Sequence, residues 1–281
     1  MERRDRHAIQ IVPDLLSDFP RRCIVRVRLV PSSVGASHRH QILATYLVND
    51  TVAIDAGSLG LLSPLADQQR VKHVFLSHSH LDHVATLPVF VDNVYAPGPN
   101  CPTVWASPET LDSLQRDLFN DRLWPDMVRL SKEESPFLET RELADEQPVE
   151  VEGLRITPIT LNHVVPTFGF LVEELVGGVA VLFVSDTAPS DRVWEIANQC
   201  AGLKGVLLEA SFPNSYRWLA DKAAHLTPDL FRLELQKLKR PVPFHAVHVK
   251  FAFETKVLTE LQALNLPNLR LVEPNTTLDF V

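Results

Sequence analysis

The chain has 281 residues, 45% of them hydrophobic and 22% charged, the composition of a globular domain long enough to bury a sizeable core. Its net charge of −8 arises in one stretch, because residues 109–152 carry thirteen acids against five bases and the rest of the chain cancels; no broad basic surface is left for a nucleic-acid polymer. No apolar run approaches the roughly 18 residues a membrane helix needs, and Met1 to Asp18 has no apolar stretch of signal-peptide type. Cys23, Cys101 and Cys200 are too widely spaced for a zinc knuckle or a disulfide framework, so a soluble protein in the reducing cytoplasm is expected.

In chain order, residues 1–22, with Arg3, Arg4, Arg6, Arg21 and Arg22, read as a solvated extension ahead of one domain over 23–281. Strands are expected at Cys23 to Val30, Ile42 to Val48 and Thr51 to Asp55, followed by a helix from Leu59 to Gln69. Next come strands His73 to Ser77 and Thr103 to Ala106, then a helix from Pro108 to Phe119. A block of strands follows at Leu154 to Leu161, Phe168 to Glu173 and Val179 to Ser185, the last two joined by a Gly177-Gly178 hairpin. A helix over Asp191 to Gln199 precedes strands Val206 to Glu209, Ala246 to Val249 and Leu269 to Val272, interleaved with helices Pro228 to Lys239 and Glu254 to Leu264. Thr227-Pro228-Asp229 is a clear helix start, with a capping hydroxyl and proline at the first helical position. Strand blocks alternating with helices point to an α/β chain with two sheets sandwiched between helical layers.

The chemistry concentrates in Ser77-His78-Ser79-His80-Leu81-Asp82-His83, where a strand runs out into a loop holding three histidines and an aspartate. In extended chain His78 and His80 point the same way, so both imidazoles reach one ion. A turn after His80 would bring Asp82 and His83 to a second ion about 3.5 to 4 Å away, the separation of two-metal hydrolases. A solvated polar loop with incidental histidines is the plainer alternative. Against it, Asp55, His163, Asp186 and His248 each stand where another apparent strand ends. Asp55 alone also fits an ordinary Asp-x-Gly turn.

That order of motifs resembles the metallo-β-lactamase superfamily, which implies its αββα sandwich of two mixed sheets between helical layers. Carried over, the resemblance implies that His78, His80 and His163 hold one metal ion and Asp82, His83 and His248 another. Asp186 would bridge them, and Asp55 would orient the ligands from behind. It implies two divalent metals, with zinc the first choice and manganese or iron also suited to a nitrogen and oxygen donor set.

Further on, Glu209-Ala210-Ser211-Phe212-Pro213-Asn214 and His225-Leu226-Thr227-Pro228 look like the class II cyclic-nucleotide phosphodiesterases of that superfamily, as does the run Leu81 to Pro88. In the related tRNase Z enzymes a glutamate and a histidine in corresponding places donate a proton beside the metals, and Glu209 and His225 match them. His225 could instead simply precede the helix cap at Thr227. The resemblance therefore implies hydrolysis of a 3',5'-cyclic nucleotide to a 5'-nucleotide, with His225, Glu209 and Asp82 in the catalytic set. The expected partner is a small phosphodiester, with neither membrane nor nucleic-acid polymer, and a homodimer is left open. A tRNA 3'-end endonuclease, a lactonase or thioesterase, and a metal-poor scaffold are the alternatives. His38 and His40 could touch substrate or be plain loop residues, Lys250 and Thr167 are weaker candidates to bind phosphate, and His7, His73 and His245 read as structural.

Overall fold

A computed structural model describes residues 24–32 and 41–281. The arginine-rich start, Cys23, His7, His38 and His40 lie outside those residues.

Strands β1 (Val25–Leu29), β2 (Tyr46–Val48), β3 (Val52–Ile54), β4 (His73–Phe75), β5 (Thr103–Ala106) and β6 (Glu139–Glu142) belong to one sheet. The other is built from β7 (Val149–Val151), β8 (Leu154–Thr160), β9 (Phe168–Glu174), β10 (Ala180–Val184), β11 (Leu203–Glu209), β12 (Phe244–Val247) and β13 (Leu269–Leu271). The last strand, β14 (Thr277–Phe280), returns to the first sheet and pairs antiparallel with β1, matching Val25 to Phe280 and Val27 to Leu278. Each sheet has seven strands, in the orders β14-β1-β2-β3-β4-β5-β6 and β13-β12-β11-β10-β9-β8-β7. The helices are α1 (Leu65–Gln68), α2 (Leu81–Val84), α3 (Leu87–Val94), α4 (Pro108–Ser113) and α5 (Met127–Glu133) in the first half. In the second half they are α6 (Arg192–Gln199), α7 (Arg217–Ala223), α8 (Pro228–Leu235) and α9 (Glu254–Ala263).

Side-chain alternation explains the layering. In β1, Val25, Val27 and Leu29 are buried while Arg26 is exposed and pairs with Asp279 at 2.7 Å, the period-two pattern of a strand with one wet face. Strand β10 is apolar throughout because both its faces are covered. Val181 and Phe183 enter the core between the sheets with Ile54, Phe75, Phe170 and Leu207. Ala180, Leu182 and Val184 enter the outer core beneath α6, α8 and α9, with Trp194, Phe231 and Leu261. A third cluster packs Leu87, Phe90 and Val91 of α3 onto the outer face of the first sheet. These layers form the αββα sandwich. Phe75 lies at the centre of the inner core, stacked on Trp105 at 5.6 Å and edge-on to Phe170 at 6.0 Å.

Local chemistry shifts several expected elements. The helix expected from Leu59 to Gln69 is broken into a 3-10 turn, Leu59–Leu61, and α1, because Pro64 has no N–H to continue the ladder. The helix from Pro108 stops as α at Ser113 and goes on as a π turn over Leu114–Leu118, the Phe119 amide reaching the Leu114 carbonyl at 2.8 Å. Strands β6, β7 and β14 are additional, and β6 and β7 are charged, half-wet edge strands without an apolar run. Helices α2, α3, α5 and α7 are additional too. The Thr227 cap is present, its hydroxyl accepting from the Leu230 amide.

His245, in β12, is 6% exposed, lies edge-on to Phe280 at 5.5 Å, and has no hydrogen-bond partner on either ring nitrogen. Burial, helped by the nearby Arg270 charge, pushes its pKa down to about 4. The unfolded chain takes up this proton near pH 6.5 and the folded chain only near 4. The contribution to stability is therefore complete above pH 6.5 and is lost as pH falls toward 4, by roughly 3 kcal/mol at about 1.4 kcal/mol per unit. Urea unfolding across that range should show wild type losing about this much more than His245→Leu. Identical pH slopes would show that the ring is hydrated in the folded state.

Candidate metal centre

Strands β3 and β4 run parallel, as do β10, β11 and β12, and the carboxyl ends of parallel strands are where α/β sheets collect functional residues. Asp55 follows β3, His78 follows β4, Asp186 follows β10, Glu209 ends β11 and His248 follows β12. Three non-glycine residues here take left-handed backbone, Asp55 (φ 61°), Ala224 (φ 53°) and His248 (φ 54°). Such conformations cost on the order of 1 kcal/mol each and persist where surrounding bonds hold them. Asp55 is held by three: the Ser77 amide and hydroxyl donate to its carboxylate at 2.8 and 3.0 Å, and His83 Nδ1 lies 2.7 Å away. The turn at Ala224 aims its carbonyl at His163 Nδ1, 3.0 Å away.

Helix α2 supplies the turn expected after His80, and its backbone is clamped to neighbouring loops. Ala44 donates to the Asp82 carbonyl at 2.8 Å, and Ala56 to the His83 carbonyl at 2.8 Å. Gly57 lies so near that a Cβ there would stand 2.0 Å from the Asp82 carbonyl oxygen. The glycine of Asp55-Ala56-Gly57 therefore permits close approach of the Asp82 segment as well as a turn.

All the ligand-type residues singled out in the sequence converge. Single donor atoms of His78, His80, His163 and Asp186 lie within 4.8 Å of one another, as do those of Asp82, His83 and His248. His163 Nε2 is 3.3 Å from His80 Nδ1, and His83 Nε2 is 3.1 Å from His248 Nε2. Imidazole nitrogens facing one another at such distances either share a proton or direct lone pairs at a common cation. Asp186 favours the second, since it is 1% exposed and neither carboxylate oxygen has a hydrogen-bond partner. Nitrogens of His78, His83, His163, His225 and His248 nevertheless stand 3.4 to 4.0 Å from it. His78 Nε2 is likewise buried and unpartnered. Unpaired polar atoms cost about 1 to 3 kcal/mol each, more when charged, so divalent ions fit this donor set.

Charge is divided within the cluster. Burial holds His78, His80 and His163 below the usual imidazole range, which keeps them neutral. Burial works against charge on Asp186 and Asp82 as well, but the imidazoles around them, with Lys250 for Asp82, hold both carboxyls below the usual range. His83 is buried yet is held well above its usual pKa by Asp186 and Asp55.

Beside the cluster, His225 Nδ1 lies 2.8 Å from Glu209 Oε1, and its Nε2 is 4.0 Å from Asp186 Oδ2. Glu209 is fully buried and accepts from the Thr187 amide at 2.9 Å and the Ser211 amide at 3.1 Å. Although burial disfavours its charged form, the Glu209 charge and hydrogen bond raise the His225 pKa. His225 thus bonds Glu209 and also stands two residues before the Thr227 cap.

Sequence reasoning passed over the hydroxyls that tie the rings together. Ser77 Oγ is 2.9 Å from His78 Nδ1 and also bonds Asp55, while Ser211 Oγ is 3.1 Å from His248 Nδ1 and 3.3 Å from His225 Nδ1. With Nδ1 occupied, Nε2 of His78 has no hydrogen-bond partner and Nε2 of His248 faces Nε2 of His83, so both are turned toward a metal position. Ser211 was visible as the serine of Glu209-Ala210-Ser211, but nothing local indicated its partners. Lys250 Nζ bonds Asp82 Oδ2 at 2.9 Å, whereas the Thr167 hydroxyl is occupied by the Val165 carbonyl.

Residues 50–248 match the profile of the β-lactamase superfamily domain. Over 232 residues the chain is 28% identical to a probable 3',5'-cyclic-nucleotide phosphodiesterase of Yersinia pestis, a match covering 70% of this chain and 64% of that one. The chain thus spans just under two thirds of that relative. Among solved structures, unliganded yeast PDE1 superposes with a TM-score of 0.72 at 19% identity, over 92% of this chain and 99% of the other. The metallo-β-lactamase fold protein YhfI of Bacillus subtilis superposes with a TM-score of 0.68 at 14% identity, over 91% and 99%. No helix among the described residues is long and apolar enough to cross a membrane.

Proposed function

The chain belongs to the metallo-β-lactamase superfamily of metallohydrolases, and from that premise we propose that it is a phosphodiesterase whose substrate is a 3',5'-cyclic nucleotide. The observation that carries this reading is the Glu209–His225 pair at 2.8 Å beside Asp186. A phosphodiester expels an alkoxide too basic to leave unaided, whereas lactones and thioesters place a weaker demand on a leaving-group acid.

In this reading His78, His80 and His163 would hold one divalent ion, Asp82, His83 and His248 would hold a second, and Asp186 would serve both. Zinc is the first choice, with manganese or iron also compatible with these donors. Two such ions supply a water-derived nucleophile at neutral pH and offset charge on the phosphoryl group. The chain's own residues do the rest. Glu209 holds His225 by Nδ1 and favours its protonated form, so Nε2 carries a proton toward the departing oxygen. Asp55 and Ser77 keep His78 and His83 oriented, and Ser211 does the same for His248. Lys250, bonded to Asp82, adds positive charge at the rim.

The test is a panel of bis-p-nitrophenyl phosphate, cyclic AMP, cyclic GMP, a homoserine lactone and a thioester, assayed with the metal-loaded protein. Turnover of the phosphodiesters, with a cyclic nucleotide the best natural substrate, is the expected result. Turnover of the lactone or thioester alone would refute the phosphodiesterase reading.

A further inference from the structure

His245 is buried, titratable and unused by the metal centre. In β12 the side chains of Phe244 and Ala246 enter the outer core and Val247 enters the core between the sheets, so alternation sends the His245 ring to the inner face as well. It meets Phe280 there, edge-on at 5.5 Å, and neither ring nitrogen has a hydrogen-bond partner. Gly205 makes room for the Phe280 ring, since a Cβ at that position would stand 2.2 Å from it.

His245 lines a cavity of about 590 Å³ where the outermost strands of the two sheets, β13 and β14, come together. Leu271, Leu278 and Phe280 give it apolar walls, with Lys204, Arg270 and Thr277 around them. Arg270 is the register partner of His245 in the parallel β12–β13 ladder, so the two point to the same side. Its Nη1 donates to the Pro267 and Leu269 carbonyls, and neither Arg270 nor Lys204 makes an ion pair among the described residues. Asp279, also in the lining, is held by Arg26 through both carboxylate oxygens at 2.7 and 2.9 Å. Arg26, Lys204 and Arg270 therefore outnumber the carboxylates of Asp279 and Val281 at this cleft.

A positive excess beside apolar walls favours an anion. The His245 ring, 6% exposed and unpartnered, is an unmet polar group of the kind that a bound ligand satisfies. A bare ion would leave the apolar walls wet, whereas the volume is within the range that holds an organic molecule.

We propose that this cleft is a second ligand site, which takes a small organic anion. Its carboxylate or phosphate pairs with Lys204 and Arg270, its apolar or aromatic body lies against Phe280, and His245 donates one hydrogen bond to it. The cleft shares no residue with the metal groupings. It lies toward the amino ends of β11, β12 and β13, where Lys204, His245 and Arg270 are each the second residue, while Glu209 and His248 stand at the carboxyl ends of β11 and β12. The occupant is therefore bound without being hydrolysed, whatever the metal centre cleaves.

The test is calorimetric titration of the metal-loaded protein with 2-naphthoate, with 2-naphthylphosphonate, which has no ester to cleave, with 2-naphthol and with inorganic phosphate. At least one aryl anion should bind roughly tenfold or more tightly than 2-naphthol and inorganic phosphate, and the tighter of the two identifies the head group. Lys204→Gln combined with Arg270→Gln, both at exposed positions, should weaken that anion about tenfold and leave metal content unchanged. In proton NMR the His245 ring signals, assigned by their loss in His245→Leu, should move as the anion is added. Aryl anions that fail to bind, that bind the double variant as tightly as wild type, or that leave the His245 signals unmoved would overturn the site. So would inorganic phosphate binding as tightly as the aryl anions, the mark of an adventitious ion only.

Discussion

Asp186→Ala is expected to lower bound metal to one ion or fewer per chain and to abolish hydrolysis, as read by elemental analysis after dialysis and by the phosphodiester assay. The carboxylate is almost fully buried with both oxygens unpartnered, and it stands among five histidines at 3.4 to 4.0 Å. Without it, two dications would face each other with Asp82 the remaining carboxylate of the three groupings found among the described residues. Repulsion between two dications about 4 Å apart amounts to roughly 17 kcal/mol even at an effective dielectric of about 20, four times the value for unit charges. His248→Ala should be milder, because His78, His80 and His163 still serve one ion. Two tightly held ions in Asp186→Ala would refute the bridging role, and equal loss of both ions in His248→Ala would show that the two sites are not separable.

His225→Ala should separate proton donation from metal binding. Both ions and the fold should remain, while kcat toward a cyclic nucleotide falls on the order of 10² to 10⁴. With bis-p-nitrophenyl phosphate the loss should be small, because nitrophenolate leaves without a proton. The defect should thus follow the basicity of the leaving group. Glu209→Gln should show the same pattern more weakly, since Glu209 touches substrate only through the ring it orients and charges. The double variant should be little worse than His225→Ala, as for residues acting as one unit. His225 Nε2 also lies near enough to Asp186 and His248 to act as a metal ligand. Metal loss in His225→Ala, or an equal defect on both substrates, would assign it that role and remove the main support for a phosphodiesterase.

The sequence by itself determined the identity of the cluster, because imidazole and carboxylate at strand ends are uncommon residues in a strict order. His78 to His83, His163, Asp186 and His248 could all be named before any coordinates. It also determined the central strands, whose apolar runs report burial on both faces, and the α8 start, whose signal is local. Tertiary structure alone decided the rest. The β14–β1 pairing joins segments about 250 residues apart, which no local pattern encodes. Edge strands β6 and β7 stay polar because water covers them, and so carry no hydrophobic period. Ser77, Ser211, Thr187 and Ala224 act through hydroxyls or backbone groups that many residue types possess, so residue type does not mark their role. The left-handed turns at Asp55, Ala224 and His248 persist only once partners up to 165 residues away in sequence hold them. Ligand chemistry is a property of side-chain type and survives in one dimension; orientation, pairing and the gathering of Lys204, His245 and Arg270 around one cleft depend on distances that exist only when the two sheets pack.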